Sequence, residues 1–305
     1  MATLKRNDTC YCGSGKKYKV CHMISDSKPP KNRLTAQQSA YLNNWSKNSY
    51  SLEEQGCYEW MASIAIKNTP EKILDIGCGN GSGIIALLRC SKNIKKIIAL
   101  DENLACLKAT KQRLEDEGYS VELIERVEVK DCNKSEHEFL YSPINEKSDS
   151  LITLIHSDIL SDPFVSDYLD SQGGFDLVTI WLIGTHTERR NCNNISELKI
   201  SNNGEYRLRV QNKIYELADT ILTPGGVLHV TDRGEIPSSV HLQNDFIDAH
   251  KDQASVTSLV VKELEYKEYS ETEAAGAIQL TKTLGKSGRD VDFSSKAILS
   301  VRSQK

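Results

Sequence analysis

The stretch Lys72-Ile-Leu-Asp-Ile76 is a short apolar run that ends abruptly in a glycine cluster, Gly77-Cys-Gly79-Asn-Gly81-Ser-Gly83, and a helical pattern starts at once over 82–89. A strand that feeds through a glycine turn directly into a helix is the opening of a βαβ unit. Glycine lets the backbone turn tightly and approach a ligand, and the first N–H groups of the following helix point outward without partners. A second strand over 96–100 ends at Asp101, and Leu104, Leu107 and Leu114 have the spacing of a helix over 103–117. Strand-like runs recur at 151–156, 175–180 and 226–231, with helices at 206–221 and 240–254. Such alternation predicts a doubly wound, mostly parallel α/β sheet.

The chain has 305 residues, enough for one large domain and a small appendage. Residues 24–33 combine Pro29-Pro30 with small and charged residues and read as a linker between a cysteine cluster at 1–23 and the α/β domain at 34–305. Two helices, over 35–48 and 52–67, are expected to precede the first strand. Residues 119–150 interrupt the alternation, with an alternating segment at 121–129 that reads as an inserted hairpin, and 187–204 form a second insertion. Strands are expected at 258–269 and 297–302, with a helix between them opened by the capping box of Ser270 and Glu273.

The glycine turn discriminates between ligands. A dinucleotide site wants Gly-x-Gly-x-x-Gly, but counting from Gly77 the sixth position is Ser82, and Asp75 stands just ahead of the first glycine. A carboxylate there repels a pyrophosphate and suits a ligand with an amino group and a sulfonium, as in S-adenosylmethionine. From these residues onward, over roughly 50–303, the sequence resembles the class I S-adenosylmethionine-dependent methyltransferases, whose fold is Rossmann-like. The resemblance implies that Asp75, Gly77 and Gly79 hold the methionine part of the cofactor, that Asp101 accepts hydrogen bonds from the ribose hydroxyls, and that Asp158, after the strand at 151–156, faces the adenine amino group. Leu222-Thr-Pro-Gly-Gly-Val-Leu-His-Val also looks like the family's turn before its fifth strand. Each element has a bland reading beside this one: a tight turn, or an aspartate capping the next helix.

Methyl transfer mainly needs alignment of the acceptor and removal of its proton where it carries one. His186, beyond the fourth strand, is the candidate general base, against an ordinary loop histidine; Trp181 is a candidate pocket wall, against a core tryptophan. Arg189 and Arg190 either hold an acidic acceptor group or are solvated loop arginines. No Asn-Pro-Pro-Tyr-like stretch and no Pro-Cys pair occurs, and Thr231-Asp232-Arg233 stands where the magnesium-dependent catechol type has Asp-Asn. The acceptor stays open among small molecule, protein and RNA.

Of nine cysteines only Cys10, Cys12 and Cys21 cluster, and Cys10-x-Cys12-x8-Cys21-His22 offers four ligands to a tetrahedral zinc. The string Asn7-Asp8-x-Cys10-x-Cys12-Gly-Ser-Gly-Lys-Lys-Tyr-x-x-Cys21-His22 closely resembles the SEC-C motif. That resemblance implies docking to a protein, ribosome or nucleic acid. Residues 1–35 carry eight basic side chains against Asp8 and Asp26, a charge of +6 that leaves −10 for the rest of a chain with net charge −4. A basic docking surface and a solvated tail both fit this balance. No apolar stretch follows Met1 to Asp8, so a cytoplasmic protein without a membrane span is expected. The rival to an enzyme is a non-catalytic cofactor-binding or interaction protein recruited through the zinc module.

Overall fold

The structure is a computed structural model, which describes residues 5–10, 15–145, 148–200, 202–271 and 296–305. Its centre is an eight-stranded sheet in the order β3-β6-β2-β1-β7-β8-β10-β9. The strands are β1 (Lys72–Ile76), β2 (Lys96–Asp101), β3 (Val121–Ile124), β6 (Ile152–His156), β7 (Phe175–Trp181), β8 (Leu222–Glu235), β9 (Val260–Tyr269) and β10 (Lys296–Gln304). From β3 to β8 all neighbours are parallel, and β10 and β9 close the sheet antiparallel. This is the mostly parallel, Rossmann-like arrangement expected for class I methyltransferases.

Adjacent residues of the central strands face opposite sides of the sheet, and both sides are covered, so the strands are apolar throughout. Ile73, Ile97 and Leu177 pack under α4 (Cys57–Ala65), α5 (Ser82–Cys90) and α6 (Leu104–Asp116), where Met61, Leu87 and Leu107 are buried. Leu74, Ile98 and Val178 pack on the other side against α7 (Val165–Ser171) and α8 (Asn203–Ile221) through Leu169, Ile214 and Tyr215. A further helix, α9 (Val240–Ala254), covers β10 with Leu242 and Phe246. Successive crossovers carry the chain from β1 to β2 and β6 on one side, then back past β1 to β7 and β8 on the other. Ligand clefts of such sheets open where the winding reverses, here between β1 and β7.

Three local expectations are corrected. The segment 24–33 is largely helical: α1 (Tyr18–Cys21) is followed by α2 (Met23–Asp26), and α3 (Pro30–Glu54) begins inside the expected linker. Pro30 suits the first helical position because the N–H it lacks would be unpaired there. The expected break between helices near 48–52 falls instead at Gly56, which has φ 65°. The alternating segment at 121–129 divides, because Val121–Ile124 joins the main sheet beside β6 and the inserted hairpin is β4 (Val127–Asp131) with β5 (His137–Tyr141). The helix expected at Ser270 and Glu273 lies outside the described residues.

Candidate cofactor cleft and metal site

The turn after β1 is built for a ligand by backbone alone. Gly77 and Gly79 have φ of 76° and 57°, conformations that side-chain-bearing residues rarely adopt. The Gly77 N–H donates to the Leu100 carbonyl at 2.7 Å, tying the turn to the end of β2. There Asp101 receives two backbone N–H groups: Gly79 donates to Oδ2 at 3.0 Å and Asn103 to Oδ1 at 2.8 Å. Burial, followed by the neighbouring Glu102 charge, pushes the Asp101 carboxyl up to about 7. Asn103 then caps α6, its side chain accepting from the N–H groups of Ala105 and Cys106.

A cleft of about 590 Å³, including the open space at its mouth, lies over this turn. Gly77, Gly79, Asp101 and Glu102 line it from the β1–β2 side, Ser157 and Asp158 from the end of β6, and Ile183 and Gly184 from the segment after β7. Tyr41 and Trp45 of α3 and Tyr206 of α8 add aromatic rings to the lining. The α3 helix lies close over the turn: a Cβ on Gly79 would sit 2.8 Å from Trp45 Nε1, and one on Gly184 would collide with the Tyr41 hydroxyl. Hydrogen bonds fix that helix along its length. Gln38 donates to the Glu102 carbonyl at 3.2 Å, Asn103 donates to the Gln38 carbonyl at 3.0 Å, and Ser49 donates to Asn80 Oδ1 at 2.9 Å.

The structure therefore brings Gly77, Gly79, Asp101 and Asp158 of the expected site together. It does not bring Asp75, His186 or Trp181 to the cleft lining. Asp75 is buried in β1, where its Oδ1 accepts the Thr179 hydroxyl at 2.6 Å, and burial pushes its carboxyl up to about 6. That oxygen of the carboxylate faces the neighbouring strand β7, away from the cleft lining where the methionine part is expected. Trp181 belongs to the core: its Nε1 donates to His229 Nδ1 at 2.9 Å, and its ring packs over Gly83. Of the two readings of Trp181, these contacts match the core tryptophan. His186 is buried with Nε2 3.1 Å from Glu102 Oε1. Burial alone would lower its pKa, but the Glu102 carboxylate outweighs that and raises it. Its Nε2 is engaged by Glu102, and His186 itself stands behind the cleft lining, so its expected role as general base has no direct contact with the cleft in this structure.

Sequence reasoning passed over Glu102. Burial opposes its ionisation, yet His186, Arg189 and His156 outweigh that effect and hold the carboxyl down at about 2. Its Oε1 meets His186, while Oε2 is buried without a hydrogen-bond partner among the described residues. A buried anionic oxygen lining the cleft is an acceptor waiting for a ligand donor. Asp158, by contrast, is well supplied: Leu160 N–H donates to Oδ1 at 3.1 Å, the Ser161 hydroxyl donates to Oδ2 at 2.7 Å, and Arg189 is paired with the same Oδ2.

In the N-terminal module, Thr9 bridges Lys17, and the Cys10 N–H donates to the Lys16 carbonyl at 2.8 Å. This brings Cys10 back to Cys21 and His22. His22 Nδ1 lies 3.1 Å from Cys10 Sγ and 3.2 Å from Cys21 Sγ, and the three donor atoms fall within 4.8 Å of one another. Cys12 lies outside the described residues. Two sulfurs and an imidazole converging in this way fit three ligands of a tetrahedral zinc ion.

Comparison with known proteins agrees with both regions. Residues 55–144 match the ubiE/COQ5 methyltransferase family, and residues 6–24 match the SEC-C motif. The α/β body is a Rossmann-like domain that resembles the methyltransferases over residues 55–144. Its N-terminal module is a SEC-C motif. No curated protein matches the chain in sequence. Among solved structures, the N-methyltransferase NodS from Bradyrhizobium japonicum WM9, in complex with S-adenosyl-l-homocysteine, is 11% identical with a TM-score of 0.42, covering 83% of this chain and 87% of its own. Precorrin 8w decarboxylase from Methanobacterium thermoautotrophicum is 14% identical with a TM-score of 0.39, covering 81% and 89%. Precorrin-6y C5,15-methyltransferase from Geobacter metallireducens GS-15 is 14% identical with a TM-score of 0.40, covering 82% and 89%. Among the described residues no helix is long and apolar enough to cross a membrane.

Proposed function

We propose that the cleft binds S-adenosylmethionine and that the domain transfers its methyl group to an acceptor lodged between α3 and the segment after β7. The observation that carries this reading is the pair of adjacent carboxylates at the end of β2, beside a glycine turn with open backbone. Asp101 is fixed by two backbone N–H groups, and Glu102 keeps one buried oxygen unpartnered. Carboxylate oxygens so held suit the two hydroxyls of a ribose and the positive charge of a sulfonium. When bound, the cofactor supplies an electrophilic methyl group. The chain supplies position and dryness: Asp101 and Glu102 orient the nucleoside, Gly77 and Gly79 admit the rest of the ligand to the backbone, and Tyr41, Trp45 and Tyr206 keep water from the cleft. Asp158, already paired with Arg189, acts as a shaped acceptor surface near the end of β6.

The N-terminal module, in this reading, holds one zinc ion through Cys10, Cys12, Cys21 and His22 and docks the enzyme to a protein, ribosome or nucleic acid. Its role is structural and recruiting, since a site closed by four protein ligands leaves no position for substrate. Exposed Val20 and Ile24 among Lys16, Lys17 and Lys19 give it an apolar and basic surface.

Calorimetry of the full chain with S-adenosylhomocysteine tests the cleft. Saturable binding of about one equivalent, with no heat from NAD, is expected, and a folded protein that ignores the nucleoside overturns the reading. Elemental analysis tests the module: about one zinc per chain is expected, lost when Cys10→Ser and Cys21→Ser are combined. Zinc retained in that double variant removes the assignment.

A further inference from the structure

One short 3-10 turn after β7, Thr187–Asn191, together with His186 before it, makes three ion pairs to three separate parts of the molecule. His186 Nε2 lies 3.1 Å from Glu102, at the end of β2. Arg189 is paired with Asp158, at the end of β6. Glu188 meets Arg33 Nε of α3 at 3.2 Å. Every side chain in these pairs is at most 12% exposed. The Arg33 guanidinium also donates to the carbonyls of Lys28, Lys134 and Ser135, and Asn191 donates to Glu188 Oε2 at 2.9 Å. The Arg189 guanidinium lies over the rings of Tyr206 and Phe139, 5.3 and 5.7 Å from their centroids.

Buried ion pairs are a costly way to hold a fold, because desolvation consumes most of the attraction; their best attested benefit is to fix one arrangement among several. Here two of the three anions, Glu102 and Asp158, line the cleft, and the third pair holds the helix that carries Tyr41 and Trp45. We infer that His186, Glu188 and Arg189 form an ionic clasp that positions the cleft carboxylates and the α3 cover together, with Glu188 and Arg33 as positioning residues for cofactor binding although neither lines the cleft. The inference rests on the cofactor reading above. His186 occupies Oε1 of Glu102 and so leaves Oε2 for the ligand, Arg189 fixes Asp158, and Glu188 ties the same turn to α3. Filling the cleft therefore tightens the turn and the start of α3, which are distant in sequence from the glycine turn.

The test combines S-adenosylhomocysteine calorimetry with hydrogen exchange on the full chain. In the wild type, the nucleoside should slow exchange at 77–84 and 101–103, and also at 33–45 and 186–192. Glu188→Ala should weaken binding about tenfold and keep protection at the glycine turn while losing it at 33–45. Glu188→Gln, which keeps the size and removes the charge, serves if the alanine variant does not fold and should show the same split. Tyr215→Phe, which removes hydroxyl contacts to His250 and Ser303 outside the clasp, controls for a general loss of stability and should leave the split absent. Wild-type affinity and protection in both Glu188 variants overturn the clasp and leave the cofactor reading intact. A wild type that does not bind the nucleoside overturns both.

Discussion

The two sides of the cleft are made differently. On the β1–β2 side a ligand in the cleft would meet backbone and carboxylates from one stretch of chain, Gly77 to Asn103, held by hydrogen bonds among themselves. On the other side it would meet Tyr41, Trp45, Ile183, Gly184 and Tyr206, from three segments that only the completed fold and its buried ion pairs bring together. In the proposed reading the first side holds the cofactor. In that reading the second is a wall whose shape can change with a few side chains, and it selects the acceptor.

Glycine substitutions should separate the two sides most sharply. At Gly79, with φ 57°, an alanine forces a left-handed residue costing about 1–2 kcal/mol and puts its Cβ 2.8 Å from Trp45 Nε1. Gly79→Ala should therefore lower S-adenosylhomocysteine affinity by about a hundredfold. Gly184 has no such backbone demand, and its Cβ meets only the far end of the Tyr41 side chain, the hydroxyl with Cζ and Cε2. Gly184→Ala should displace Tyr41 and change cofactor affinity by no more than a few-fold, which calorimetry reads directly. Equal losses at both positions would show that the two sides act as one.

A smaller effect comes from Asp101. Its carboxyl is pushed up to about 7, so part of the free protein carries it protonated at neutral pH. The ionised form is the better acceptor for ribose hydroxyls, so binding should deprotonate it. Affinity should then fall as pH drops below about 7, approaching tenfold per unit, and flatten above it. Asp101→Asn should bind more weakly at high pH and lose this slope. A slope unchanged in the variant would move the titration to another group.

This difference between the sides also explains what could be read in advance. The strand, glycine turn and acid after β2 are contiguous patterns, and the sheet order follows from their alternation. Asp75 was legible as an acid before the turn, but a strand buried on both faces gives no alternation to show which way its carboxylate points; it points to Thr179. Glu102 carries no motif to set it apart from Asp101 beside it. Tyr41 and Trp45 fit an ordinary helix pattern, and nothing local reveals that their helix crosses the glycine turn. Arg189, one of two arginines in a polar stretch, becomes 3% exposed only because Asp158 lies 31 positions earlier in the chain and next to it in space.

The least effect on the cleft is expected at Trp181, and it sharpens the comparison by marking where the acceptor wall stops. Position after the fourth strand suggested a pocket residue, but the indole N–H donates to His229 Nδ1, and His229 Nε2 lies 2.7 Å from the Ser300 hydroxyl, in a chain of polar groups across β7, β8 and β10. Burial holds the His229 pKa down to about 3, so the imidazole is neutral and its Nδ1 is free to accept. Trp181→Phe removes the donor and leaves that buried nitrogen unpaired, at a cost of about 1–3 kcal/mol, besides the volume lost over Gly83. Chemical denaturation should therefore show a clear loss of stability, while S-adenosylhomocysteine affinity at a temperature where the variant is folded stays at the wild-type value. The reverse outcome, unchanged stability with weakened binding, would return Trp181 to the cleft and extend the wall beyond Leu182.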